Sequence, residues 1–266
     1  MLERLGAATR LAPPEFLESA GRVFARFDTQ DSGNISFGVE TAEGCFFVKT
    51  AGPPGSGGLP LHHAERVALL ENAERLARSV PHPALTRFEG TRASAWGPML
   101  VYRWADGEHL HARRGRRNDP ATAWQRFLAL PVAERLAVVR SIVDLHVALA
   151  NRGWVTGDFY DGCLIYDFAR RRVHVFDLDS YRLGPYVNTM GRMFGSTRFM
   201  APEEFEKGRV IDERTTVFAL GRTMSIFLSD IEALDDAVAT ACASDPDRRY
   251  ASVANLAAAF ETSIGQ

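Results

Sequence analysis

The stretch GWVTGDFYDGCLIYDFARRRVHVFDLDSY (Gly153–Tyr181) decides how the rest of the chain is read. Two short apolar runs, LIY and VHVF, flank a polar break and predict a β-hairpin. Aspartates stand at both mouths of it: Asp158 before the first run, Asp177 and Asp179 after the second. A carboxylate before one strand can accept a proton, and one at the end of the next can deliver a metal ligand to the same place. Cys163 is the odd member, because a neutral thiol is a poor ligand for a hard cation.

Helical patterns flank this hairpin. Upstream, Leu136, Val139, Ile142, Val143 and Leu149 form an apolar stripe, and downstream helices resume to the C-terminus. The chain before Ala105–Gly107 has another character. RVFARFD, ISFGVET and CFFVKTA are β-rich runs separated by the turn-like TQDSGN and AEG, so they predict an antiparallel meander. The first twenty residues predict a short helix broken at Pro13 and Pro14. A Gly/Pro-rich loop, Gly52–Pro60, is expected to be mobile. An amphipathic helix follows over His62–Val80, with Val67, Leu70, Ala73, Leu76, Ala77 and Val80 at helical spacing. ALTRFEG, ASAWG and PMLVYRW add two strands and a turn. The expected fold is α+β with two lobes and a cleft between them: a β-rich N-terminal lobe with one helix, residues 1–103, and a helical C-terminal lobe, residues 104–266.

Composition narrows the partners. The 266 residues are 46% hydrophobic, enough for one large core or two modest ones, and the formal charge of −2 gives no reason to expect nucleic acid or an anionic membrane. Three well-separated cysteines, Cys45, Cys163 and Cys242, argue against a disulfide framework and a thiolate zinc site. MLERLGAATRLAPPEF lacks a signal-peptide core, so a cytoplasmic protein is the expectation. The basic cluster RRGRR (Arg113–Arg117) reads as a solvated loop, with a docking patch for phosphate or an acidic partner as the alternative.

Phosphoryl transfer needs charge around the phosphates, magnesium on carboxylates and a base near the acceptor hydroxyl. Lys49 ends the apolar strand FFVK, so its ammonium can emerge at the junction of the lobes; Asp177 ends VHVF, and Asp158 precedes the other hairpin strand.

The order of these motifs resembles the protein-kinase superfamily through most of the chain. FFVKTA looks like the strand whose lysine binds the α- and β-phosphates, and the helix before PHPAL looks like the regulatory helix. MLVYRWADGEHL resembles the strand and hinge, GWVTGDFYDGCLIYD the catalytic loop, and HVFDLDSY the metal-binding segment. FGSTRFMAPEEF is similar to the end of an activation segment, TVFALG to the buried core helix and SDPDRRYAS to a late signature. The resemblance implies ATP and Mg2+ as cofactors, Asp158 as catalytic base, Asp177 and Asp179 as metal ligands, and Lys49, Glu71, Gly33, Arg103 and Ala105 around the nucleotide. It also implies a pair between Arg249 and the glutamate of Ala201-Pro202-Glu203.

The departures are specific. DTQDSGNIS offers only Gly33 where the family has a glycine-rich loop. Either Glu71 or Glu74 can face Lys49, Glu71 being preferred. TGD replaces HRD, which removes the arginine that receives an activation-loop phosphate, so no such switch is expected; the GD form resembles aminoglycoside and choline kinases. Cys163 replaces a metal-binding asparagine, and strand alternation would let Asp179 stand in for it beside Asp177. Thr216 replaces an aspartate, so its bond to the catalytic-loop backbone is expected to be missing or altered. Asp161 and Asp167 read as loop carboxylates, His146 as a packed histidine, and Trp154, Phe194 and Phe199 as packing. His109 and His111 are spaced for a strand with no third ligand. The expected function is an ATP- and magnesium-dependent phosphotransferase acting on a hydroxyl of a protein or small molecule; the alternative is a pseudokinase, a nucleotide-binding or scaffold module without useful turnover.

Overall fold

The computed structural model describes residues 8–29, 32–55, 61–112 and 114–265. The protein is mixed α+β with an antiparallel sheet. It divides into two compact units, Met1–Ala105 and Asp106–Gln266.

In the first unit, α1 (Pro13–Ala20) leads into β1 (Arg22–Phe27), β2 (Ile35–Thr41) and β3 (Gly44–Thr50); α2 (His63–Ser79), β4 (Phe88–Ser94) and β5 (Gly97–Arg103) follow. Pro13 and Pro14 do not break a helix; they open α1, where a fixed φ and a missing N–H fit the first turn. The strands form one antiparallel sheet in the order β1-β2-β3-β5-β4. Their alternation gives the sheet two apolar faces. Phe37, Val39, Phe46, Val48, Met99 and Val101 pack with Leu17 of α1, while Leu100 packs with Leu70 and Ala73 of α2. Each such buried side chain contributes about 1.5–3 kcal/mol.

Helix α2 is tied to the connection that precedes it. Its Glu65 carboxylate accepts the N–H of His62 at 2.7 Å. Arg66, fully buried, donates to the carbonyls of Ala51 (2.6 Å), Pro53 (3.0 Å) and Leu61 (3.2 Å). The guanidinium thus holds both ends of the Gly52–Pro60 loop; residues 56–60, whose mobility was expected, lie outside the described residues.

The second unit runs β6 (Glu108–His109), α3 (Ala123–Leu128), α4 (Val132–Ala150), β7 (Trp154–Val155), β8 (Leu164–Asp167), β9 (Arg172–Val175), β10 (Arg182–Leu183), β11 (Tyr186–Val187), β12 (Val210–Ile211), α5 (Glu213–Phe227), α6 (Asp235–Ala241) and α7 (Val253–Ile264). β8 and β9 are the hairpin of the opening stretch, with β6 on its other edge. Asp167 is no idle loop carboxylate: buried, it caps the hairpin turn by accepting from the N–H groups of Ala169 (2.9 Å) and Arg170 (3.0 Å). α4 packs against α5 and α7. Gly221 lets α6 approach α5 closely, since a Cβ there would lie 2.6 Å from that of Ala241. Among the described residues no helix is long and apolar enough to cross a membrane.

Candidate functional site

The loop between β7 and β8, residues 156–163, is fixed from several sides. Thr156 donates its N–H to the hydroxyl of Thr216 at 3.1 Å, so the bond from the core helix to this loop is altered rather than missing: a neutral hydroxyl makes it. Gly157 has no room for a side chain, because a Cβ would lie 2.3 Å from the carbonyl oxygen of Ser180. A side chain at that position, arginine included, would require the Ser180 backbone to move. Asp158 has φ 57°, the left-handed region. The thiol of Cys163 donates to the Asp158 carbonyl at 3.3 Å. Burial and then the nearby Asp177 push its pKa well above the usual thiol value, so it stays neutral and anchors the loop's main chain. His146, buried, donates through Nδ1 to the Ile142 carbonyl and accepts the Tyr181 hydroxyl at Nε2, both at 2.7 Å, as a packed histidine does.

At the other mouth, the structure corrects the alternation argument. Asp177 has φ 63° and is exposed, whereas Asp179 is buried in the turn that follows, so the segment is not extended. Strand geometry therefore does not aim the two carboxylates alike. Carboxylate oxygens such as those of Asp177 and Asp179 are hard donors of the type magnesium takes. Among the described residues no group of three or more His, Cys, Asp and Glu forms a metal-holding cluster.

The segment leading to Ala201-Pro202-Glu203 is held by short strand pairs and a side-chain turn. β10 pairs with β7 and β11 with β12, and the Asn188 side chain accepts from the N–H groups of Met190 (3.0 Å) and Gly191 (3.1 Å). A Cβ on Gly195 would lie 3.4 Å from Asp158 Oδ1, so this segment runs close to the candidate base. Thr156, Asp158, Ser196, Phe199, Met200 and Glu204 line a hollow of about 10 Å³, room for one water or hydroxyl. Glu203 meets Arg249 in a buried two-pronged pair of 2.6 and 2.9 Å, the pairing the resemblance implies. Phe199 and Trp154 are core residues, while Phe194 is 47% exposed and does not pack as expected.

In the first unit, Lys49 is half-buried on β3, opposite Ser36 and Leu100. Glu74 is taken by Arg78 at 2.8 Å, and Glu71 is exposed with no ion pair among the described residues. Glu71, the preferred partner for Lys49, thus lies on an exposed side of α2. Gly33 has φ 79° in the β1–β2 turn, and a Cβ on Gly52 would lie 2.7 Å from its carbonyl, so this turn packs against the end of β3. Arg103 is engaged in its own unit: its guanidinium donates to Glu89 (3.1 Å) and the Glu43 carbonyl (2.9 Å) and lies over Phe46. Ala105 ends the unit outside any regular element.

Two residues escaped the sequence reading. Asp161 is buried and is bonded by Arg198 and Arg117 instead of standing free in a loop. Glu204, next to Glu203, is buried in the hollow beside Asp158, and burial raises its pKa to about 7. The APEE spelling marks both glutamates, but nothing in it separates their environments. No protein-family model matches this chain, and neither does any curated protein sequence.

Proposed function

We propose that this chain is an ATP- and magnesium-dependent phosphotransferase of protein-kinase-like, two-lobe design, in which Asp158 orients or deprotonates an acceptor hydroxyl. The observation that carries the reading is the backbone at the two mouths of the β8–β9 hairpin. Asp158 and Asp177 both hold left-handed φ values, 57° and 63°. Such a conformation costs a non-glycine residue about 1–3 kcal/mol and gathers at functional sites. The hydroxyl-sized hollow beside Asp158 and the Glu203–Arg249 pair support the same reading. On it, Asp177 and Asp179 hold magnesium, Lys49 neutralises phosphate charge, and catalysis is positioning and electrostatics with no covalent intermediate.

A second reading, a nucleotide-binding scaffold without turnover, is favoured by the exposed Glu71 and by Glu74 being taken by Arg78. Purified protein with magnesium and γ-labelled ATP separates the two. Asp158→Asn is expected to lower ATP hydrolysis and autophosphorylation at least about 100-fold. Equal rates in the variant and the parent end the phosphotransferase reading. A thermal shift with ATP that requires magnesium, together with no turnover, leaves the scaffold.

A further inference from the structure

Three residues after Asp158, one carboxylate gathers more positive charge than it can balance. Asp161 Oδ2 accepts from Arg198 Nη1 at 2.8 Å and from Arg117 Nη2 at 3.4 Å, and its Oδ1 lies 3.3 Å from His111 Nδ1. Two guanidiniums against one carboxylate leave a single positive charge. The carboxylate is inside and its partners face out: the Asp161 side chain is 1% exposed, against 26%, 31% and 38% for Arg198, Arg117 and His111.

The cations are also pre-positioned. Arg198 lies over the rings of Trp124 and Phe199, and the Arg117 carbonyl accepts from Gln125 at 2.7 Å. Arg117 Nε is buried with no hydrogen-bond acceptor among the described residues. Burial and then the neighbouring Arg198 hold the Arg117 pKa below the ordinary arginine value. A guanidinium fork matches the oxygens of a phosphate two at a time, and two forks with an imidazole suit a dianion better than a carboxylate. Arg198 belongs to the segment whose Gly195 and Ser196 line the hollow at Asp158.

We propose that Arg117, Arg198 and His111 form a receptor for a phosphoryl group carried by the acceptor, with Asp161 as the buried residue that orients them. The acceptor assignment rests on the phosphotransferase reading; the oxyanion site does not. The test is calorimetric titration of the full chain with inorganic phosphate at low ionic strength. Saturable one-site binding is expected, weakened at least tenfold in Arg117→Gln and less in Arg117→Lys, which keeps the charge without the fork. Arg75→Gln, an exposed helix position, is expected to bind phosphate as the parent does. Circular dichroism and the unfolding midpoint of each variant report that the fold is kept. Non-saturating heats, or unchanged affinity in Arg117→Gln, overturn the receptor. The magnesium-dependent thermal shift with ATP is read on the same samples. Its presence without phosphate binding ends the receptor and spares the phosphotransferase; phosphate binding without it does the reverse.

Discussion

Arg66 of the first unit and Arg249 of the second are both removed from solvent, yet they are held by different partners. Arg66 donates to three main-chain carbonyls and meets no carboxylate among the described residues. Arg249 donates to the carbonyls of Ala243 (2.8 Å), Arg214 (3.0 Å) and Ser244 (3.3 Å), and also forks onto the Glu203 carboxylate. In the first case the charge organises a connection; in the second it also neutralises a buried anion. Removing the cation therefore leaves different debris: unbonded dipoles in one unit, a stranded full charge in the other.

The largest effect is expected where the charge is stranded. Arg249→Met should destabilise the second unit by about 3–5 kcal/mol in urea unfolding, because Glu203 loses its counter-charge. Adding Glu203→Gln should recover part of that loss, since an amide tolerates burial better than a carboxylate. A double variant no more stable than Arg249→Met would mean that the carbonyl contacts, as at Arg66, carry the energy.

Arg66→Met comes next, at about 2–4 kcal/mol, from buried carbonyls left without donors. Hydrogen exchange should localise the loss to the strands and helix of residues 22–103 and leave 154–264 protected. Equal deprotection of both ranges would break the contrast between the units.

A third test uses neighbours. Glu203 and Glu204 are both buried, but among the described residues a guanidinium hydrogen-bonds Glu203 and not Glu204. Burial pushes Glu203 up, and the bonds from Arg249 and Thr215 outweigh it and hold the carboxyl below its ordinary range. For Glu204 burial wins, and the pKa rises from 4.5 to about 7. The folded state thus keeps a proton that the unfolded chain gives up. Stability from Glu204 is present below the unfolded value and lost as pH rises from about 4.5 through about 7, at most about 3 kcal/mol. Against Glu204→Gln, the parent should lose about 2–3 kcal/mol of relative stability between pH 5 and pH 8. Parallel pH profiles would show that Glu204 ionises as an ordinary carboxyl.

How far these features were legible depends on what carries them. Apolar alternation and helical spacing report burial of apolar side chains, which is why β1–β5 and α2 can be read from their own residues. Arg66 lies buried on the α2 face, but an arginine reads as solvent-facing in any such pattern. Arg249 was found only through the resemblance, which fixes the distant Glu203 as its partner. Asp161 was missed because Arg198, its strongest partner, is 37 positions away. The alternation argument for Asp179 fails for a local cause: one left-handed residue, Asp177, ends the extended segment, and side-chain type does not reveal the sign of φ. Gly157 looked like a lost arginine in the sequence, while its close approach to the Ser180 carbonyl exists only in three dimensions.

The smallest expected effect comes from a position with no charge at all. Thr216 sits where the resembled family has an aspartate, and its hydroxyl accepts the Thr156 N–H in a buried place. A neutral acceptor needs no counter-ion, so this bond works without the balancing cation that Glu203 requires. Thr216→Val keeps the shape and removes the acceptor, leaving one buried N–H unmet at a cost of about 1–2 kcal/mol. Thr216→Ser retains the hydroxyl and should stay within about 0.5 kcal/mol of the parent. Amide exchange at Thr156 is the sharper readout: it should quicken in the valine variant and not in the serine one. If valine leaves that amide as protected as before, the loop ahead of Asp158 is held by its packing, and the hydroxyl is no replacement for the missing carboxylate.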